Sequence, residues 1–172
     1  RTSDMNTVTN DILPTLCDLA GQPLPQRPLD GISLKPLLDG KMSERPGPIG
    51  FWNGRARQDP GAKPYIDPEL QKGTTPLVKL AAEGATRNFQ NFHHPDIQER
   101  DFGGPRAILD NRYKLVIDGA RERAKELFDV RSDPAEKNNL IQAEPAVAAK
   151  LEKQLRAWQQ SVLQSLTGAD YR

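Results

Sequence analysis

From Val147 to Leu166 the apolar residues Val147, Leu151, Leu155, Trp158, Val162 and Leu166 recur at steps of 4, 4, 3, 4 and 4. That spacing lines one face of an α-helix. Glu144-Pro145 opens the run, and proline is pre-organised for the first turn of a helix, where its missing N–H has no partner to lose. A helix so long with a single apolar stripe needs a surface to cover. The preceding sequence supplies one: 106–109 and 113–117 read as strands around an Asp110-Asn111 turn, a spacing that favours a β-hairpin, and 125–130 reads as a third strand. The expected fold class is therefore α+β, a small antiparallel β-sheet packed by a long C-terminal helix.

Upstream, Thr9 to Gly21 reads as a short helix: Ile12, Leu13, Leu16, Leu19 and Ala20 fall at helical spacing, Pro14 sits in the first turn, and Gly21 can close the end in a left-handed conformation. One face of it must be buried. Pro23, Pro25 and Pro28 force an extended connector, and Asp30 to Gly40 follows as a turn with a helical stub docked by Leu34, Leu37 and Leu38. Ile49-Gly50-Phe51-Trp52 looks like a strand, after which 53–103 carry too much Pro, Gly and charge for any strand pattern to survive. This stretch is read as an excursion that leaves and rejoins the same sheet edge, with a capped helix of about two turns after Thr75-Pro76. Asp133-Pro134-Ala135-Glu136 is expected to start a helical turn, Asp133 capping it. The helix before residue 47 is expected to belong to a larger α/β domain, which divides the chain into 1–47 and a sheet-and-helix subdomain at 48–172.

Composition removes several function classes. The 172 residues include 24 Lys or Arg and 23 Asp or Glu, a formal net charge of +1 with the signs interleaved, which argues against a nucleic-acid partner. The apolar runs are a few residues long, far short of the roughly 20 that span a bilayer. A single Cys cannot form an internal disulfide and leaves the redox compartment open. With 15 Pro, 13 Gly and a mean hydropathy of -0.69, long irregular stretches are expected. A start at Arg1 with no signal-peptide pattern suggests a piece of a longer protein.

No catalytic constellation emerges from the residues alone. Cys17 lies between Leu16 and Leu19 with no His near it in sequence, the setting of a packing cysteine rather than a nucleophile. His93-His94 are adjacent, so in an extended chain they point in opposite directions and rarely share one ion; one of them contacting substrate and plain exposure both stay open. Pro95-Asp96 with Glu99-Arg100 lacks the lysine a metal-dependent nuclease motif needs. Gly103-Gly104 and Gly119 lack the loop and lysine of a phosphate cradle. Arg106 and Lys114 suit an anion, although cations on a hairpin are more often solvated or paired. His93, His94 and Arg106 are thus the candidate substrate-binding residues.

Two stretches carry a family resemblance. One is Asn10-Asp11-Ile12-Leu13-Pro14-Thr15 through Gly21, with Asp30-Gly31-Ile32-Ser33-Leu34 following; the other is Tyr113-Lys114-Leu115 with Glu126-Leu127-Phe128-Asp129, Asp133-Pro134-Ala135-Glu136 and Asn139-Leu140. Together, in order and spacing, they resemble the C-terminal portion of a sulfatase, arylsulfatase-like and of the alkaline phosphatase superfamily. The resemblance covers the chain apart from 53–103, and departs at Gly104-Pro105-Arg106, where some similar sulfatases carry a His.

The resemblance implies a whole enzyme that hydrolyses a sulfate ester on a sulfated small molecule or glycan. It implies a formylglycine nucleophile, made from Cys or Ser in a Cys-x-Pro-x-Arg or Ser-x-Pro-x-Arg setting, and a calcium ion. Neither maps here: Cys17 continues as Asp18-Leu19-Ala20-Gly21, and the family's calcium and sulfate ligands belong to its earlier α/β domain. A periplasmic, secreted or lysosomal location would follow from the same likeness, while the oligomeric state stays open. Two other readings stand beside it: a catalytically inactive relative acting as a glycan-binding or scaffold domain, and a phosphodiesterase-like or phosphoglycerate mutase-like metalloenzyme of the same superfamily.

Overall fold

In a computed structural model, residues 2–54, 96–119 and 124–171 are described. Four strands, β1 (Ile49–Trp52), β2 (Arg106–Leu109), β3 (Tyr113–Ile117) and β4 (Lys125–Asp129), form one sheet in the order β1-β2-β3-β4. Every neighbouring pair is antiparallel. Among the described residues three α-helices accompany it in chain order: α1 (Ile12–Ala20), α2 (Lys35–Leu38) and α3 (Pro145–Leu166).

The register explains the core. Gly50, Ile108, Leu115 and Leu127 stand opposite one another across the sheet, so they share a face. Ile108, Leu115, Ile117 and Leu127 pack with Ala148, Leu151 and Leu155 of α3. Each buried Leu or Ile contributes about 1.5–3 kcal/mol against exposure, which is what holds α3 on the sheet.

The helix is where the stripe predicts, with its centre shifted. The buried line runs Ala148, Leu151, Leu155, Gln159 and Leu163, while Val147, Trp158, Val162 and Leu166 are only partly covered. Gln159 takes a core position because its Nε2 donates to the Phe102 carbonyl at 3.1 Å, so the amide is not buried bare. Trp158 lies over Gly50, where a Cβ would meet its ring carbons at 2.5 Å, and its Nε1 donates to Asp30 Oδ1 at 2.9 Å.

The expected helical turn at Asp133 is instead a tight turn without a helix. Glu136 adopts φ 53, a left-handed conformation that stops any helix there, and Asp133 Oδ2 accepts the Asn138 N–H at 2.7 Å. The chain then folds along β4. Leu140 N–H donates to the Leu127 carbonyl at 2.7 Å, and Asn139 Oδ1 accepts the Leu127 N–H at 3.1 Å. These bonds cover a sheet edge that would otherwise present unpaired backbone.

α1 ends as expected, on Gly21 at φ 65. Its apolar residues, however, are open: Ile12, Leu13, Leu16 and Leu19 are 56%, 46%, 58% and 56% exposed. The residues it buries are Asp11, at its N-terminal boundary, and Pro14.

Candidate functional site

The best-built polar cluster lies where α1 meets the 31–35 segment. Asp11, Thr15 and Asp18 recur at steps of 4 and 3, so they share one side of the helix. Asp11 Oδ1 accepts the Ile32 N–H at 2.9 Å, Thr15 Oγ1 accepts the Leu34 N–H at 2.9 Å, and Asp18 Oδ2 accepts the Ser33 hydroxyl at 2.5 Å. Gly31 makes the approach possible, since a Cβ there would fall 1.9 Å from the Asn10 carbonyl oxygen. The spacing of the first motif is thus the spacing of a helix reading an adjacent backbone.

Arg45 completes that cluster. Its NH1 and NH2 donate to the two carboxylate oxygens of Asp11 at 2.7 and 2.8 Å, and both side chains are almost wholly buried. Burial pushes the Asp11 carboxyl up, but Arg45 with the Val8 and Ile32 N–H groups outweighs it and holds the group below the usual carboxylate range. Asp18 is also held low, first by the Ser33 hydroxyl and then by Lys35. The main chain of Arg45 exchanges two bonds of 2.8 Å with the Asn111 side chain, which ties this cluster to the β2–β3 turn. Sequence reasoning missed Arg45 and marked Asn111 only as a turn residue. Each stands alone in its stretch, and no periodicity connects them to α1.

A second cluster sits at the foot of the excursion. β1 leaves the sheet opposite the start of β2, with Trp52 paired to Arg106 and the Asn53 N–H donating to the Pro105 carbonyl at 2.8 Å. The two ends of 53–103 therefore meet at one sheet edge, as expected. Trp52 Nε1 donates to the Gly103 carbonyl at 2.9 Å, and Arg106 NH1 donates to Gly104 O at 2.8 Å and Asp118 Oδ2 at 2.7 Å. Asp118 reaches Arg106 from a left-handed backbone, φ 52. An anion meeting this guanidinium has to share it with Asp118. Lys114 is likewise engaged, 2.6 Å from Glu136 Oε1.

The other candidate substrate-binding residues, His93 and His94, lie outside the described residues, as does the helix expected after Thr75-Pro76. Arg106 is placed at the excursion's base, and nothing in the described geometry brings it together with the histidines. Among the described residues no group of three or more His, Cys, Asp or Glu side chains is arranged to hold a metal ion. None of their helices is long and apolar enough to cross a membrane. Cys17 is half-buried on α1 as a free thiol.

A groove of about 1080 Å³ opens between the extended Thr2–Asn6 segment, α2 and the Met42–Glu44 stretch, with Asn111 and Arg131 on its wall. Arg131 reaches Glu44 at 3.2 Å across it. Stretches far apart in sequence build it, which is why no sequence pattern announced it.

No family model and no curated protein matches the sequence. Solved structures do. A Bacteroides thetaiotaomicron protein designated BT33336S-sulf, from work on the metabolism of multiple glycosaminoglycans, is 19% identical and superposes with a TM-score of 0.50 over 87% of this chain and 24% of its own. Ps i-CgsB is 15% identical with a TM-score of 0.52, over 88% of this chain and 24% of its own. BT1596, a 2-O GAG sulfatase, is 22% identical with a TM-score of 0.49, over 90% and 25%. The chain spans about a quarter of the length of these structures. Across most of its own length, then, the chain shares its fold with BT33336S-sulf and Ps i-CgsB, in keeping with the sulfatase-like C-terminal portion that its motifs resemble.

Proposed function

We propose that the chain is the C-terminal portion of a sulfatase whose complete form hydrolyses sulfate esters of a small molecule or glycan. The observation that carries this reading is the joint behaviour of the two motifs on a sulfatase fold. Asp11, Thr15 and Asp18 grip the Ile32–Leu34 stretch, and Asn139 with Leu140 grips β4, so both motifs are working parts of the architecture. The open apolar side of α1 supports reading 1–47 as the border of a larger α/β domain, since a face of four large aliphatic residues is ordinarily covered.

In this reading the chain supplies support rather than chemistry. By the family likeness the calcium ligands and the formylglycine motif belong to an earlier α/β domain, and Cys17, followed by Asp18-Leu19-Ala20-Gly21, does not fit the Cys-x-Pro-x-Arg setting. Bound calcium would supply charge stabilisation at the transferring sulfuryl group. His93, His94 and Arg106 keep the role of remote substrate contacts, with Asp118 fixing the Arg106 guanidinium in orientation.

The test uses the complete protein. Peptide mass spectrometry should find one Cys or Ser converted to formylglycine, and sulfate release from an aryl sulfate or sulfated glycan should stop on chelation and on replacing that residue. A folded complete protein with no modified residue and no sulfate release, yet with retained glycan binding, would establish the inactive binding-domain reading instead.

A further inference from the structure

We draw no further inference here: the strongest candidate, the open groove between the Thr2–Asn6 segment, α2 and Arg131 together with the exposed apolar side of α1, carries nothing beyond the domain border already proposed, because nothing in the structure shows what else covers it.

Discussion

Arg112 donates Nε to Asp129 Oδ2 at 2.8 Å, and Asp129 Oδ1 accepts the N–H groups of Arg131 and Ser132 at the turn after β4. Arg112 first, then Ser132, against an opposing effect of burial, brings the Asp129 carboxyl from 3.8 down to about 2. A lowered folded-state value means the unfolded chain binds its proton first. The stabilisation is complete above 3.8 and drains away as pH falls towards about 2. Urea titrations across that window should show stability dropping with acid, and Asp129→Asn should flatten the drop, leaving the part due to Asp11 and Asp18. An unchanged slope in the variant would remove Asp129 from the account.

The Asp11–Arg45 pair carries an asymmetry that can be measured. Asp11→Ala leaves a buried guanidinium with only the distant Asp30 carbonyl, at 3.4 Å, and strips the Val8 and Ile32 N–H groups of their acceptor. Breaking a buried pair this way costs about 3–5 kcal/mol. Arg45→Met leaves the carboxylate still served by those two N–H groups, so its cost should be smaller by about 1 kcal/mol or more. Equal losses, or the reverse order, would show that Arg45 rather than the backbone holds the carboxylate.

Between elements, α3 meets β1 through Trp158 on Gly50. Gly50→Ala would drive a methyl into the indole, whose nearest ring carbons stand 2.5 Å from the new Cβ, and overpacking of this kind costs about 1–3 kcal/mol. Trp158→Ala should cost about 2–3 kcal/mol, the lost Asp30 bond included, less than the ~3–5 of a fully enclosed ring because the indole is partly exposed. In the Trp158→Ala background the Gly50→Ala penalty should largely vanish, a coupling of about 1 kcal/mol or more in a double-mutant cycle. Additive losses would place the clash elsewhere.

The same elements show what could be read beforehand. The hairpin was legible because two short apolar runs, 106–109 and 113–117, flank the Asp110-Asn111 turn, and the third strand because a further short apolar run follows at 125–130. The long helix was legible from its period, but its centre was misplaced: Gln159 is polar, and only the Phe102 carbonyl, 57 residues away in sequence, makes it a core residue. The missing helix at Asp133 has a similar cause. Asp-Pro is a sound start signal, yet Glu136 turns left-handed beside Lys114, a partner that sequence order hides. Of the candidate site, Arg106 was placed correctly on the hairpin, whereas its pairing with Asp118 depends on β2 and β3 meeting in register, with Arg106 opposite Ile117.

For the whole molecule, the decisive surface is α1. Ile12, Leu16 and Leu19 are each more than half exposed in this chain, although they recur at the spacing of one helix face. An exposed side chain contributes little to folding, so Leu16→Lys with Leu19→Lys should change the stability of the isolated chain by only about 0.5 kcal/mol. The same pair of charges should lower its self-association in size-exclusion chromatography, since it breaks the apolar patch. In the complete protein the outcome should invert. If α1 borders a larger domain, the two leucines are enclosed there, and replacing each with a charge should cost about 2 kcal/mol or more, seen as a lower melting temperature and a smaller folded yield. A complete protein that tolerates both lysines as readily as the isolated chain does would show that α1 faces solvent in the mature molecule. The division at residue 47 would then lose its physical basis, while the four-stranded sheet and α3 packed on it would stand unchanged.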